Sequence, residues 1–358
     1  MSNLPSGEGP PEEDVEEEED APGEQAVEKE PEPVPKAVED VTKKAIFDVD
    51  RDEFRIFIES VRCKGILNVD DEKVKQGNLF NDLLLAVTKD GLFVKATDSK
   101  QNKVIAQHFY RTFDKENRPK GAIIVSEGEI PITSIENALK AVDLCTSGKN
   151  DIVTVVYPDN EGMVFIGSKG TDTGWSFITK GRKDLSCLAK VDEINHVWVP
   201  ETKQVKSTSK QSGAVVFWET RLTVLPEEIT KVATDMKDFV KQKVVWLRIN
   251  NGKVIFSLGT ANASRKGKRE LLDYSRQKFD GKQWVNVAAA DKLVDIEGSY
   301  CHGFYAVLQN IPLKNSLELY FHKFPKDKTG GLMDMCWVRS YSATMELHFC
   351  IPFEVESK

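Results

Sequence analysis

Five histidines, six cysteines and scattered carboxylates are the residues of this 358-residue chain that could do chemistry. His108, His196, His302, His322 and His348 form no HExxH and no other pair at metal-ligand spacing. Cys63, Cys145, Cys187, Cys301, Cys336 and Cys350 are scattered, with no CxxC, and read as small buried hydrophobes. Asp98 and Asp334 could move protons, but neither has a partner at a supporting spacing. Gly259–Gly267 lacks the GxxxxGK order of a phosphate loop, and no GxSxG elbow occurs. The reading is a chain without catalysis, cofactor or bound metal.

With chemistry set aside, charge and layout carry the argument. Residues 1–44 hold 15 Asp and Glu against 4 Lys and Arg, a net of −11. The remainder holds 42 against 45, a net of +3, so the overall −8 hides a slightly basic body. The Pro- and Glu-rich stretch 1–43 has few large apolar residues to offset the entropy of ordering, which predicts a disordered acidic tail. A tail of this charge solubilises the chain or folds back onto basic surface. It has no basic start followed by an apolar core, so it does not read as a signal peptide. No apolar run approaches the roughly 20 residues of a membrane helix. Scattered thiols without a secretion signal predict an intracellular protein.

The body reads as four copies of one helix followed by short strands, two on each side of Val197-Trp198-Val199-Pro200-Glu201. The first helix covers Glu53–Cys63, capped by Asp50 or Asp52, with Phe54, Ile58 and Val61 on one face and Arg55, Glu59 and Arg62 on the other. The second starts at Ser134, with Lys140 opposite Ile135, Ala138, Leu139 and Val142. The third opens at Pro226-Glu227-Glu228, and Lys231 and Lys237 lie off its apolar stripe. The fourth spans Ser299–Ile311. Strands are expected at Asn81–Val87, Gly91–Ala96, Asn102–Tyr110, Asp151–Tyr157, Gly162–Gly167, Gly174–Thr179, Val215–Val224, Val244–Ile249, Lys253–Leu258, Ser316–Phe324, Met333–Arg339 and Thr344–Ile351. Asn250-Asn251-Gly252 marks a hairpin turn, and Gln204–Gly213 reads as a mobile polar loop. Tight turns between strands favour antiparallel sheet, so the fold class is α+β.

Four stretches resemble the DNA sliding clamps of the proliferating-cell nuclear antigen (PCNA) type. They are Ala96-Thr97-Asp98-Ser99 with Val104 and Gln107, Ser134–Tyr157, Val197–Glu201, and Met345–Pro352. The resemblance covers about residues 45–356. It implies a DNA-clamp fold of two similar domains, 44–182 and 214–358, each with two helix-plus-antiparallel-strand units. A connector, 183–213, joins them behind the tail of 1–43. It further implies helices around duplex DNA, with Arg55, Arg62, Lys140, Lys231 and Lys237 facing phosphates, or else lying on ordinary solvated helix faces. Where the family has a basic residue on the fourth helix this chain has Gln309, with only His302 and Lys314 nearby.

The resemblance also implies a partner groove at Thr97, Val104, Val197, Val199, Phe349, Ile351 and Pro352, or else a strand and connector core at these positions. Its subunit edges would be Gly162–Gly167 and Glu270–Arg276, with Met163, Phe165, Leu271 and Tyr274 at the interface. The expected protein is a homotrimeric processivity factor acting at DNA, in nucleus or nucleoid, with DNA polymerase, other peptide-motif enzymes and a clamp loader as partners. Alternatives are a clamp-like subunit that forms no homotrimer, a heterotrimeric checkpoint-clamp subunit, or an enzyme or protein scaffold sharing the layout. Arg265-Lys266-Gly267-Lys268-Arg269 reads as a basic loop, a DNA contact or a nuclear address.

Overall fold

The computed structural model describes residues 44–70, 73–98, 104–112, 121–145, 151–171, 173–189, 195–209, 212–237, 245–250, 253–258, 267–270, 274–288, 296–300, 302–322 and 335–354. The chain divides into the units Met1–Asp40 and Val41–Lys358, and all of these residues belong to the second.

The first half holds β1 (Ala45–Asp50), α1 (Arg51–Arg62), β2 (Lys64–Asp70), β3 (Lys73–Asn78), β4 (Leu83–Thr88), β5 (Gly91–Thr97) and β6 (Ile105–Arg111). It continues with β7 (Ile123–Ser126), β8 (Gly128–Ile132), α2 (Ile135–Leu144), β9 (Ile152–Tyr157), β10 (Val164–Ser168) and β11 (Gly174–Phe177). Then come β12 (His196–Val199), β13 (Gln204–Thr208), β14 (Val215–Phe217), β15 (Thr220–Val224), α3 (Pro226–Lys237), β16 (Val245–Asn250), β17 (Lys253–Leu258) and β18 (Gly267–Glu270). The last are β19 (Tyr274–Phe279), β20 (Trp284–Asn286), β21 (Ile296–Tyr300), α4 (His302–Gln309), β22 (Ser316–His322), β23 (Met335–Tyr341) and β24 (Met345–Glu354). The α+β expectation holds, with four described helices against many antiparallel strands.

Local chemistry explains the helix starts. Asp50 caps α1 by accepting from Glu53 N at 2.9 Å, and Asp52 and Glu53 sit at the positive end of the helix dipole. The helix ends at Cys63 in the left-handed region, φ 48°. Ser134 caps α2 by accepting from Asn137 N at 3.2 Å. Pro226 opens α3 with Glu227 and Glu228 in its first turn. The fourth helix begins at His302, later than the sequence suggests, because Ile296–Tyr300 extends as β21 against β16.

A long mixed-order sheet runs β18-β17-β16-β21-β24-β23-β22-β15-β19-β20, and β24 also pairs with β6, bringing in β5, β4 and β8. The ten-residue strand β24 therefore serves both halves of the chain. A second sheet has the order β11-β10-β9-β1-β7, with β1 an element that the sequence reading missed. The helices α1, α2 and α4 pack on the sheets, and their apolar faces join a core containing Phe47, Phe54, Phe57, Ile135, Phe304 and Leu347. A separate aromatic core, with Trp198, Trp218, Tyr320 and Trp337, lies under the connector.

Three further differences from expectation have physical reasons. Gln204–Gly213 is not wholly a loop: Gln204–Thr208 is β13, whose Val205 and Ser207 are buried between β12 and the main sheet. Val215–Val224 is two strands, broken where Trp218 turns into the aromatic core. The strands β2 and β3 pair antiparallel, and β2 packs on α4. The two approach so closely at Gly65 that a Cβ there would lie 2.7 Å from Ala306 Cβ, and Asn310 Nδ2 donates to Lys64 O at 2.8 Å.

Candidate nucleic-acid and partner interfaces

The four helices hold six Lys and Arg against eight Asp and Glu. Geometry reinforces that balance. Arg55 Nε donates to Asp143 at 2.7 Å and its Nη1 to Glu59 at 2.8 Å, linking α1 to α2. Arg62 Nη2 donates to the same Glu59 at 2.6 Å. Lys231 Nζ lies 3.0 Å from Glu228. Lys140 is exposed and has no ion-pair partner among the described residues. Lys237 lies in α3 with its side chain outside the described residues. The uncharged sequence of α4 fits its place between the sheet and β2–β3, while Gln309 itself is exposed.

This pairing makes a prediction. Each phosphate neutralised contributes about 0.9 to the slope of log affinity against log salt. Replacing Glu59→Gln together with Asp143→Asn frees Arg55 and Arg62. DNA binding measured across a salt series is then expected to tighten, with a slope steeper by roughly 2. An unchanged slope would show that α1 does not face DNA.

The expected partner groove is closed. Thr97 is buried and its Oγ1 donates to Cys187 O at 3.2 Å. Val104, Phe349, Ile351 and Pro352 are interior; Phe349 packs against His108 with ring centroids 4.7 Å apart. Only Val197 is exposed, with Val199 half-exposed. The reason is strand alternation: His196 and Trp198 point inward, so Val197 and Val199 point outward. Trp198 fills the space, meeting Tyr320 at 5.4 Å and His348 at 5.1 Å between centroids, with the Arg339 guanidinium 4.7 Å from its ring centre. The strands β13 and β14 complete the cover.

Several hydrogen bonds pin the connector. Asp82 accepts from Ser186 N, Ser186 Oγ and Cys187 N, each at 2.8 Å. Gln107 Nε2 donates to His196 O at 2.9 Å, and Trp284 Nε1 to Thr202 O at 3.2 Å. Trp218 Nε1 donates to Ser207 Oγ at 2.7 Å, which lies 2.7 Å from His196 Nδ1. Burial lowers His196 and His322 to about 4, so both are neutral at pH 7.

Beneath this cover lies a charged network that the sequence reading did not foresee. Glu318 accepts from Arg339 Nη1 and Tyr320 Oη, both at 2.7 Å, and Arg221 lies 3.4 Å away. Glu346 meets Arg111 at 3.1 Å and Arg339 at 3.4 Å. Trp337 Nε1 donates to His348 Nδ1 at 3.0 Å. That nitrogen is therefore bare, and in neutral His348 the proton on Nε2 is donated to Glu346 at 3.2 Å. Burial lowers the His348 pKa. Burial alone would raise the Glu346 carboxyl, but the His348 hydrogen bond and Arg339 outweigh it and hold it far below the usual range.

The sheet edges also differ from expectation. Phe165 lies in β10, which is paired on both sides by β9 and β11, and Met163 leads into it, its N–H held by Asp159 at 2.7 Å. Tyr274 lies in β19, bonded to β15, and Leu271 lies outside the described residues. Among the described strands, β11 and β18 are instead each paired on one side only, as are several others, β7, β8, β14 and β20 among them. Of the basic run at 265–269, Gly267, Lys268 and Arg269 belong to β18, and Arg265 and Lys266 lie outside the described residues. Among the described residues no group of His, Cys, Asp and Glu could hold a metal ion, and no helix is long and apolar enough to cross a membrane.

No family model matches the sequence, and no curated protein matches it. Solved structures do. The proliferating cellular nuclear antigen of Entamoeba histolytica matches with TM-score 0.52 and 10% identity, covering 88% of this chain and 99% of that chain. PCNA of Thermococcus kodakaraensis matches with TM-score 0.52 and 12% identity, covering 86% of this chain and 100% of that one. Both matches span nearly the full length of those clamps at low sequence identity, so this chain has the PCNA-type clamp fold.

Proposed function

We propose that this protein is a sliding-clamp subunit: two clamp domains, 44–182 and 214–358, joined by a connector at 183–213, that close into a ring around duplex DNA and tether DNA enzymes to it. The observation that carries this reading is the full-length clamp topology with the open edges β11 and β18. Each is one antiparallel strand short of completion, and joining them head to tail between subunits removes both. Three two-domain subunits make the simplest closure. Function then comes from topological linkage and raised local concentration, without a catalytic step. The partners are duplex DNA, a polymerase and a loader, and the site of action is the cell's DNA.

The test is a covalent seam. Ser176→Cys on β11 and Lys268→Cys on β18, in one chain, are expected to give a closed three-copy species on mild oxidation at micromolar concentration. Closed in the presence of nicked circular duplex, that ring should survive a high-salt wash and leave when the circle is linearised. Absence of any closed species would overturn homotypic closure.

A second reading is a clamp-like subunit that does not close with itself, whether a lone processivity subunit or one member of a mixed checkpoint-type ring. The charge balance of the four helices favours it, because a basic pore is what a self-sufficient ring would need. A monomer by native mass at micromolar concentration supports this reading, and a trimer excludes it.

A further inference from the structure

The connector sheet β12–β13–β14 is separate from the main sheet and has two unlike faces. The inner face, with His196, Trp198, Val205, Ser207 and Trp218, is buried against the body. The register pairs Val197 with Lys206 and Lys206 with Phe217, while Thr208 pairs with Val215. These residues therefore share the outer face. Val197, Val215 and Phe217 are 50%, 49% and 42% exposed.

Among the described strands, β14 is paired on one side only, by β13. Ala214 O accepts from Ser209 N and Trp218 N donates to Val205 O, both at 2.9 Å, so residues 214 and 218 aim their backbone groups toward β13. By two-residue alternation, Val215 and Phe217 aim theirs at the open side. An edge with unspent backbone groups and large apolar side chains beside it is a template for strand addition. Between Val197 and Phe217 stands Lys206, which has no ion-pair partner among the described residues.

We propose that the open edge of β14 docks an extended segment of a partner protein that carries apolar and acidic residues on one face. The partner's backbone pairs with Val215 and Phe217, its apolar side chains cover those two residues, and a carboxylate two residues along on the same face reaches toward Lys206. A second copy of this chain fits less well, since the Lys206 of its own outer face would oppose this one. This site goes beyond the clamp reading and does not depend on ring closure. It lies on the outside of the sheet whose inner face fills the expected groove.

The probe is a fluorescent peptide of about seven residues with threonine at every second position and valine and glutamate taking turns between, with a valine–lysine peptide that replaces glutamate by lysine as control. Anisotropy titrations on the full-length protein are expected to show binding of the first and not the second. Phe217→Lys, an exposed change, should weaken binding roughly tenfold or more without lowering the melting temperature. Lys206→Glu should reverse the preference toward the valine–lysine peptide, a gain that misfolding cannot mimic. Equal binding of both peptides, or binding untouched by Phe217→Lys, overturns the proposal. Self-association of the unaltered protein that Phe217→Lys abolishes also overturns it, and assigns the edge to a second copy.

Discussion

Replacing Glu318 with alanine is expected to destabilise the protein by about 3–5 kcal/mol, the range for removing one partner of a buried ion pair. The carboxylate is almost fully buried and faces Arg339 at 2.7 Å and Arg221 at 3.4 Å, both buried themselves. Without it, two guanidinium groups remain in a low-dielectric site with Glu346 as the nearby counter-charge among the described residues. Arg339 Nε already lacks a hydrogen-bond partner among the described residues, so the site has no spare acceptor to offer. Tyr320 Oη loses its acceptor too. Urea unfolding measures the effect. A loss under about 1 kcal/mol would show that water reaches the network and that the connector does not seal it. The companion variant Glu318→Gln keeps the shape and one acceptor, so it should fall between the two.

The second large effect is at Trp198. Its removal as Trp198→Ala should cost about 3–5 kcal/mol, the usual range for deleting a large buried aromatic. The indole is 6% exposed and touches Tyr320, His348 and Arg339. The loss is expected to be local first: amides of β12, β13 and β14 should exchange faster with solvent, while those of β9 and β10 keep their protection. Faster exchange across the whole molecule would instead mean that the connector is part of the global core. The neighbouring Val197→Ala, on the exposed face, should change stability by no more than about 0.5 kcal/mol.

The sequence made much of this architecture legible, and the reasons are specific. Ser134, Pro226 and the Asp50/Asp52 pair are capping residues that act within one turn, so three helix starts could be read locally. The Asn250-Asn251-Gly252 signal and the flanking apolar runs gave the β16–β17 hairpin its register. The open groove failed because burial is set at long range. Val197 and Val199 are apolar, but whether they face in or out depends on Trp198, which the period-two rule places on the other face. That signal was present in His196-Val197-Trp198-Val199 and pointed to the opposite reading. The ion pairing of Arg55 with Asp143 joins residues 88 apart, which no local pattern exposes. The β2–β3 pair was missed because its apolar and charged residues alternate weakly, and its partner, α4, lies more than 200 residues away.

The strand β24 has a consequence for how the molecule comes into being. It follows every other described strand in the chain, yet it pairs with β6 from the first half as well as β21 and β23 from the second. During synthesis, the edge of β6 must wait for residues more than 230 positions later, long after its own helices have emerged. The nascent first half is thus a natural client for chaperones that shield unpaired strands. A stop codon placed just before β24 should leave three incomplete sheet fragments, ending at β21, β23 and β6, and drive the product into aggregates.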